Sequence, residues 1–147
     1  MVNWEKEAVN DLRNYPLLAQ SLARISEQRA ALDLQSGAVR SSFSDREPVS
    51  GSGGSGAEDK LLSLIVKRER LEGNYSAVSK LVQQIEGALN NLDDRQRLVL
   101  ERFFIHRCPN HVDRLCEELG FEKTKVYEMK KDALKVFTKA MYGVVDL

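Results

Sequence analysis

Apolar residues recur along this chain at helical spacing, and two stretches sustain the pattern over many turns. In the first, Trp4, Ala8, Asp11, Tyr15, Leu18, Leu22, Ile25, Arg29 and Leu32 alternate steps of four and three, and seven of the nine are apolar. That is a heptad-like seam on one face of a helix spanning 3–34. Asn3 is placed to cap it, with Glu5 and Glu7 in the first turn at the positive end of the dipole. Pro16 lies inside the pattern; its missing N–H predicts a kink, or a split near Asn14–Tyr15. In the second, Leu61, Leu64, Arg68, Leu71, Tyr75, Val78, Val82, Ile85, Leu89 and Leu92 alternate three and four, with nine of ten apolar. This predicts a long helix over 58–91, in which Gly73 and Gly87 each cost about 1 kcal/mol relative to Ala. Neither seam is satisfied by water, so each needs a partner, either in its own chain or in a second copy. Core packing is the ordinary use of such stripes.

Between the seams, 35–57 has a different texture. Ser41-Ser42-Phe43-Ser44, Pro48 and the run Ser50-Gly51-Ser52-Gly53-Gly54-Ser55-Gly56 bury little area and maximise chain entropy, which predicts a flexible loop. A loop of that length joins two elements that meet for their own reasons, so an antiparallel helical hairpin is expected.

The last third, 92–147, changes rhythm again. Asp93 with Gln96 three residues on forms a capping-box pattern, and Leu98, Val99, Phe103 and Phe104 supply an apolar face through Ile105. Pro109-Asn110 breaks the chain, with Asn110 positioned to cap the next helix. A short helix follows over 112–119, then Gly120, then a longer helix over 123–141. Short helix, glycine turn, longer helix is the helix-turn-helix arrangement. Its geometry is demanding in the twenty-residue window from Val112 to Lys131. The fifth place must be small and is Cys116. The ninth must tolerate positive φ and is Gly120. The fourth, eighth, tenth, fifteenth and eighteenth must be apolar and are Leu115, Leu119, Phe121, Val126 and Met129.

In this register Val126, Met129, Ala133, Leu134 and Phe137 point inward. Glu122, Lys123, Thr124, Lys125, Tyr127, Glu128, Lys130 and Lys131 remain on the outside, as candidate DNA-binding residues of a recognition helix. From Glu122 to Lys139 six lysines stand against three acids, Glu122, Glu128 and Asp132, a local excess of 6 − 3 = +3. Residues near the helix start would reach base edges, with Tyr127 and Thr124 suited to a thymine methyl or a phosphate, and lysines further along would reach phosphates. A lysine-bearing face is ordinarily just a solvated one; the register is what favours DNA.

Composition narrows the classes. Hydrophobic residues make up 42% and charged ones 30%, a globular rather than a disordered balance. Lys+Arg and Asp+Glu are both 22, which excludes a uniformly basic, histone-like protein and leaves only a local basic face for nucleic acid. No apolar run approaches the roughly 18–20 residues of a membrane span. The first eleven residues carry charges and no apolar core, so no secretory leader is expected. Two cysteines make no disulfide framework, and the expected setting is a reducing cytoplasm. The fold class expected is all-α: an N-terminal helical hairpin followed by a helix-turn-helix domain.

Metal binding and catalysis are the competing chemistries. His106, Cys108, His111 and Cys116 fall within eleven residues and are zinc-ligand types. Their spacing matches no zinc pattern, the helix crossing claims Cys116, and His111 and Cys116 lie on different faces of one helix, so a loop and a core are preferred over a metal site. No Gly-rich phosphate loop, nucleophile elbow or His-Glu-x-x-His occurs, and neither enzymatic activity nor a cofactor is expected.

The segment Leu92-Asp93-Asp94-Arg95-Gln96-Arg97-Leu98-Val99-Leu100-Glu101-Arg102-Phe103-Phe104 resembles region four of bacterial sigma factors. Val112 to Gly120, Lys125-Val126-Tyr127 and Asp132-Ala133-Leu134-Lys135 extend the resemblance. The resemblance covers about residues 92–138; in sigma factors region four is a helical domain that binds promoter −35 DNA through its helix-turn-helix, and the resemblance implies the same use here. Glu122 stands where Ser or Thr usually caps the recognition helix, and Tyr127-Glu128-Met129 replaces a more basic run. No segment resembles sigma region two.

Over most of its length the chain is similar to small phage and prophage transcriptional regulators of Gram-positive bacteria, of the RinA and ArpU type. The similarity rests on Asn3-Trp4-Glu5-Lys6-Glu7-Ala8, Asp11-Leu12-Arg13-Asn14-Tyr15, a Gly-rich break, Arg68-Glu69-Arg70-Leu71, Arg114-Leu115-Cys116-Glu117-Glu118-Leu119-Gly120 and Met141-Tyr142-Gly143-Val144. It implies sequence-specific control of late packaging and lysis genes, and a native Gly/Ser loop. Expected partners are double-stranded DNA and a second anchor, either RNA polymerase or a second copy held through the N-terminal helices, with no membrane. Two alternatives stay open. A small-terminase-like packaging protein would form rings, and a polymerase-binding adaptor would not need its lysines to meet DNA.

Overall fold

The computed structural model describes residues 1–44 and 55–147. Every element in it is helical: α1, Trp4–Ser44; α2, Ser55–Leu89; α3, Asp94–Leu100, which runs directly into a π-helical turn, Glu101–Ile105; α4, His111–Leu119; and α5, Lys123–Tyr142. The all-α class is as expected. No described helix is long and apolar enough to cross a membrane.

Two boundaries differ from the sequence reading. α1 continues past Leu34 to Ser44, and α2 begins at Ser55, so both flanks of the expected 35–57 loop are helical. The reason is visible at Ser36, which is buried one turn after Leu32: the seam goes on with a small polar residue in place of an apolar one. Pro48 and Ser50 to Gly54 of that loop lie outside the described residues. Pro16 also does not split α1. One i→i−4 hydrogen bond is absent there, but Ala8 and Leu12 before it are fully buried and Tyr15 is bonded to Glu86, so packing offsets the loss.

The chain divides into two compact units, Met1–Ala19 with Lys80–Leu147, and Gln20–Ser79. In the second unit the seams of α1 and α2 face each other. Arg68 donates to Asp33 at 2.6 Å, Arg29 approaches Glu72 at 3.9 Å, and the Arg29 guanidinium lies 4.4 Å from the centre of the Tyr75 ring. Later residues of α1 thus meet earlier ones of α2, which makes the pair antiparallel. The polar exceptions of the two seams within this unit, Arg29 and Arg68, each pair with an acid of the opposite helix.

The first unit holds two cores. One gathers Ala8 and Leu12 of α1, Ile85, Ala88 and Leu89 of α2, then Leu92, Leu100, Ala133, Leu134 and Phe137. The other gathers Val99, Phe103, Leu115 and Val126. Val99 and Leu100 are adjacent and both fully buried, one in each core, so α3 is apolar on two sides. The π turn that follows, closed by the His106 N–H to the Glu101 carbonyl at 2.7 Å, admits one extra residue, and Phe104 packs against both cores. The capping box at α3 is as expected: Gln96 N–H to Asp93 Oδ1 at 2.7 Å, and Asp93 N–H to Gln96 Oε1 at 3.2 Å. Asn3 likewise caps α1, accepting from the Lys6 N–H at 3.1 Å.

The end of α5 closes on the start of α1. Tyr142 donates its hydroxyl to Asp11, and its ring lies 4.9 Å from that of Trp4. Tyr15 does the same with Glu86 at 2.8 Å. Burial, then the accepting carboxylate, raises both phenols above the ordinary tyrosine value of 10.0. Since the fold favours the protonated phenol, the stability it contributes is fully present below pH 10 and declines as pH rises towards the folded values. Tyr142→Phe is expected to lower the unfolding free energy by about 1–2 kcal/mol at neutral pH, measured by urea denaturation. It should also flatten the loss of stability above pH 10; an alkaline profile identical to that of the wild type would refute the linkage.

Candidate nucleic-acid interface

The C-terminal helix pair is built around one turn. Asn110 precedes α4 in the left-handed conformation (φ 56°), and its side chain makes no capping bond, so it serves the entry through its backbone and not as the expected side-chain cap. α4 ends at Gly120, φ 73°, whose N–H donates to the Cys116 carbonyl at 2.9 Å. Phe121 and extended Glu122 complete the link to α5, and the Val126 N–H closes on the Glu122 carbonyl at 3.1 Å. Leu115 and Val126 are fully buried, and Cys116, Leu119, Phe121 and Met129 pack half-buried on the same core. Each place in the twenty-residue window is therefore filled as the register requires.

Phe103 of the π turn ties the pair together. It meets the His111 ring edge-on at 4.7 Å and the Tyr127 ring at 5.9 Å, and the Lys130 ammonium lies 5.2 Å from its centre. Arg102 of the same turn reaches Glu118 of α4 at 3.0 Å. Val126 and these aromatic contacts hold the start of α5.

That exposed face carries the residues singled out from the sequence. Glu122, Lys123, Thr124, Lys125, Tyr127, Glu128 and Lys131 are all exposed. Thr124, Tyr127, Glu128 and Lys131 share one side by helical period. Lys130 differs: half-buried and set over Phe103 and Tyr127, it shields the aromatic cluster. Lys123 stands 3.4 Å from Asp113 of α4 in an exposed ion pair, which is weak enough to yield to a competing anion. Glu122 occupies the N-cap position without a side-chain cap bond, so its carboxylate is uncommitted to the helix.

Sequence reasoning missed the groups that flank this face. Arg107, Asn110 and His111 join Lys123 and Tyr127 around one hollow, and Arg95 and Gln96 of α3 join Phe121 and Lys125 around another. The Arg95 guanidinium lies 5.7 Å from the centre of the Phe121 ring. Arg95 and Arg107 come from elements whose closeness to α5 depends on tertiary packing, so no local pattern marks them. Burial, then Arg107 and Lys130, lowers the His111 imidazole below its ordinary value and keeps it neutral at neutral pH.

Of the four zinc-ligand types, His111 is committed to Phe103 and Cys116 to the core, and both cysteines are free thiols. Among the described residues no three His, Cys, Asp or Glu side chains converge as a metal-holding group. The arrangement offers ammonium, guanidinium, hydroxyl and carboxylate groups on a helix end backed by an apolar core. No protein-family model, curated protein or solved structure matches the chain.

Positive φ at Gly120 gives a direct test of the turn. Nothing lies within 4 Å of a Cβ placed there, so Gly120→Ala meets no clash and its penalty is conformational, about 1–2 kcal/mol. Gly87 is equally open but helical, and Gly87→Ala should stabilise by about 0.5–1 kcal/mol. Opposite shifts in thermal midpoint are expected, and a stabilising Gly120→Ala would rule out the left-handed turn.

Proposed function

We propose that the chain is a sequence-specific, double-stranded-DNA-binding transcriptional regulator of the RinA and ArpU type, acting on late phage genes in the bacterial cytoplasm. The observation that carries this reading is the pair α4 and α5 around Gly120. Its interior is fully apolar, and its second helix begins with an exposed polar, lysine-bearing face. In this reading α5 enters the major groove by its N-terminal half. Glu122 and Glu128 accept from cytosine amino groups, Thr124 and Tyr127 meet thymine methyls or phosphates, and Lys125 and Lys131 reach phosphates. Arg95 and Arg107, one on either side, extend the phosphate contact beyond the recognition helix.

One such helix reads few base pairs, so specificity needs a second anchor, RNA polymerase or a second copy of the chain. The resemblance of residues 92–138 to sigma region four favours an operator read alongside polymerase.

The test is selection from random duplex DNA at low salt, followed by affinity measurements over a salt series. An enriched motif is expected with the wild type. Lys125→Ala, Lys131→Ala and Arg107→Ala should each lower the slope of log affinity against log salt by about 0.9 while leaving the helical content unchanged. Lys130 is avoided, because its loss would disturb the Phe103 cluster. Absence of any enriched motif would overturn the autonomous reader in favour of an adaptor, and a ring of eight or more subunits would point to packaging.

A further inference from the structure

The seams of the Gln20–Ser79 unit are occupied by each other, yet the unit keeps a second stripe on the far side of α2, where Leu62 and Val66 stand exposed among polar residues. Asp59, Leu62, Ser63, Val66, Lys67 and Arg70 follow one another at i, i+3, i+4, i+7, i+8 and i+11 and line one shallow groove. Leu62 is 61% exposed and Val66 39%, on a helix whose other face is already paired. We infer that this stripe is the interface with a second copy of the chain, packed antiparallel about a two-fold axis near its middle.

The order of residues identifies the occupant. An isologous antiparallel contact brings residue i of one copy opposite a residue j of the other, with i + j constant. When the axis passes between residues 64 and 65, the stripe maps onto itself. Asp59 faces Arg70, Leu62 faces Lys67 and Ser63 faces Val66, each pairing made twice. The acid at one end thereby meets the base at the other. The Lys67 stem covers Leu62 while its ammonium stays in water. The small Ser63 at the centre leaves room for Val66. Further out, the same rule pairs Gly73 with Gly56. Both are exposed with open space where a Cβ would stand, so the two helices can approach closely at the ends. From Gly56 to Gly73 the contact runs about 26 Å along the helix. A parallel pairing would set Asp59 against Asp59 and Arg70 against Arg70, which like-charge repulsion disfavours.

This goes beyond the DNA-binding reading and does not depend on it, since the test needs no DNA. The full chain is examined by sedimentation equilibrium. The wild type is expected to be a dimer. Asp59→Arg and Arg70→Asp each replace both attractive pairs with repulsive ones, and each should weaken the dimer at least about tenfold. The double variant, with both charges exchanged, should regain wild-type affinity. Mixing the two single variants should give a heterodimer in preference to either homodimer, because both cross pairs are then attractive. Val66→Asp should give a monomer with unchanged helical content. A wild-type monomer at 100 µM (about the weakest dimer worth considering) would overturn the inference. So would a dimer indifferent to both single charge changes, or single variants that fail to recover on mixing.

Discussion

The arrangement depends on α5 being buried along its length in two different cores. Val126 and Met129 pack with Leu115 and Phe103, while Ala133, Leu134 and Phe137 pack with α1, α2 and Leu100. Each large apolar side chain withdrawn from water contributes roughly 1.5–3 kcal/mol, so a helix anchored at several such points has little freedom to rotate or slide. Thr138, fully buried, satisfies its hydroxyl on the Leu134 carbonyl at 2.6 Å and adds no unpaired group. Everything on the outer side of α5 inherits this rigidity. Its first two turns present polar side chains whose positions are set from beneath by Val126 and from the side by Phe103.

α3 and the π turn make that double anchoring possible. A regular α-helix buries one stripe, but Val99 and Leu100 are both fully buried, and each lies in a different core. The π turn then shifts the phase by about one residue, so that Phe103 and Phe104 continue the two faces. The run Leu98-Val99-Leu100 followed by Phe103-Phe104-Ile105 has no clean helical period, because it serves two cores in succession.

That contrast marks what was legible in the sequence. Where one face is buried against one partner, as in the two long seams, the 3–4 spacing identified the inward residues almost completely, and the helix-turn-helix window followed from size and φ constraints at fixed offsets. What stayed hidden depends on contacts distant in the chain. Leu12 is fully buried though it lies off the first seam, because it joins a core to which α2, Leu100 and α5 all contribute. Pro16 breaks a helix only when nothing holds the segments on either side, and here Leu12 and Tyr15 do. Ser36 continues a seam that a search for apolar residues ends at Leu32. Arg95 and Arg107 flank α5 only once α3 and the loop before α4 have packed beside it.

The polar exceptions in the apolar patterns carry as much information as the patterns themselves. An apolar stripe attracts any other stripe and is nearly indifferent to sliding by a turn; a charge set among the apolar residues is not, because one register pairs it and the others strand it. Asp11 with Tyr142, and Asp33 with Arg68 beside Arg29 and Glu72, play this part within the chain, each where the heptad rhythm admits a polar residue. Most of these contacts are exposed, so each adds little to stability by itself. Their effect lies in the difference between registers. On the outer stripe of α2 the same device would act between copies, with Asp59 and Arg70 at the ends of a stripe that exposes Leu62 and Val66. An antiparallel, centred pairing sets Asp59 against Arg70 in both copies, whereas a shift along the helix separates that pair in both.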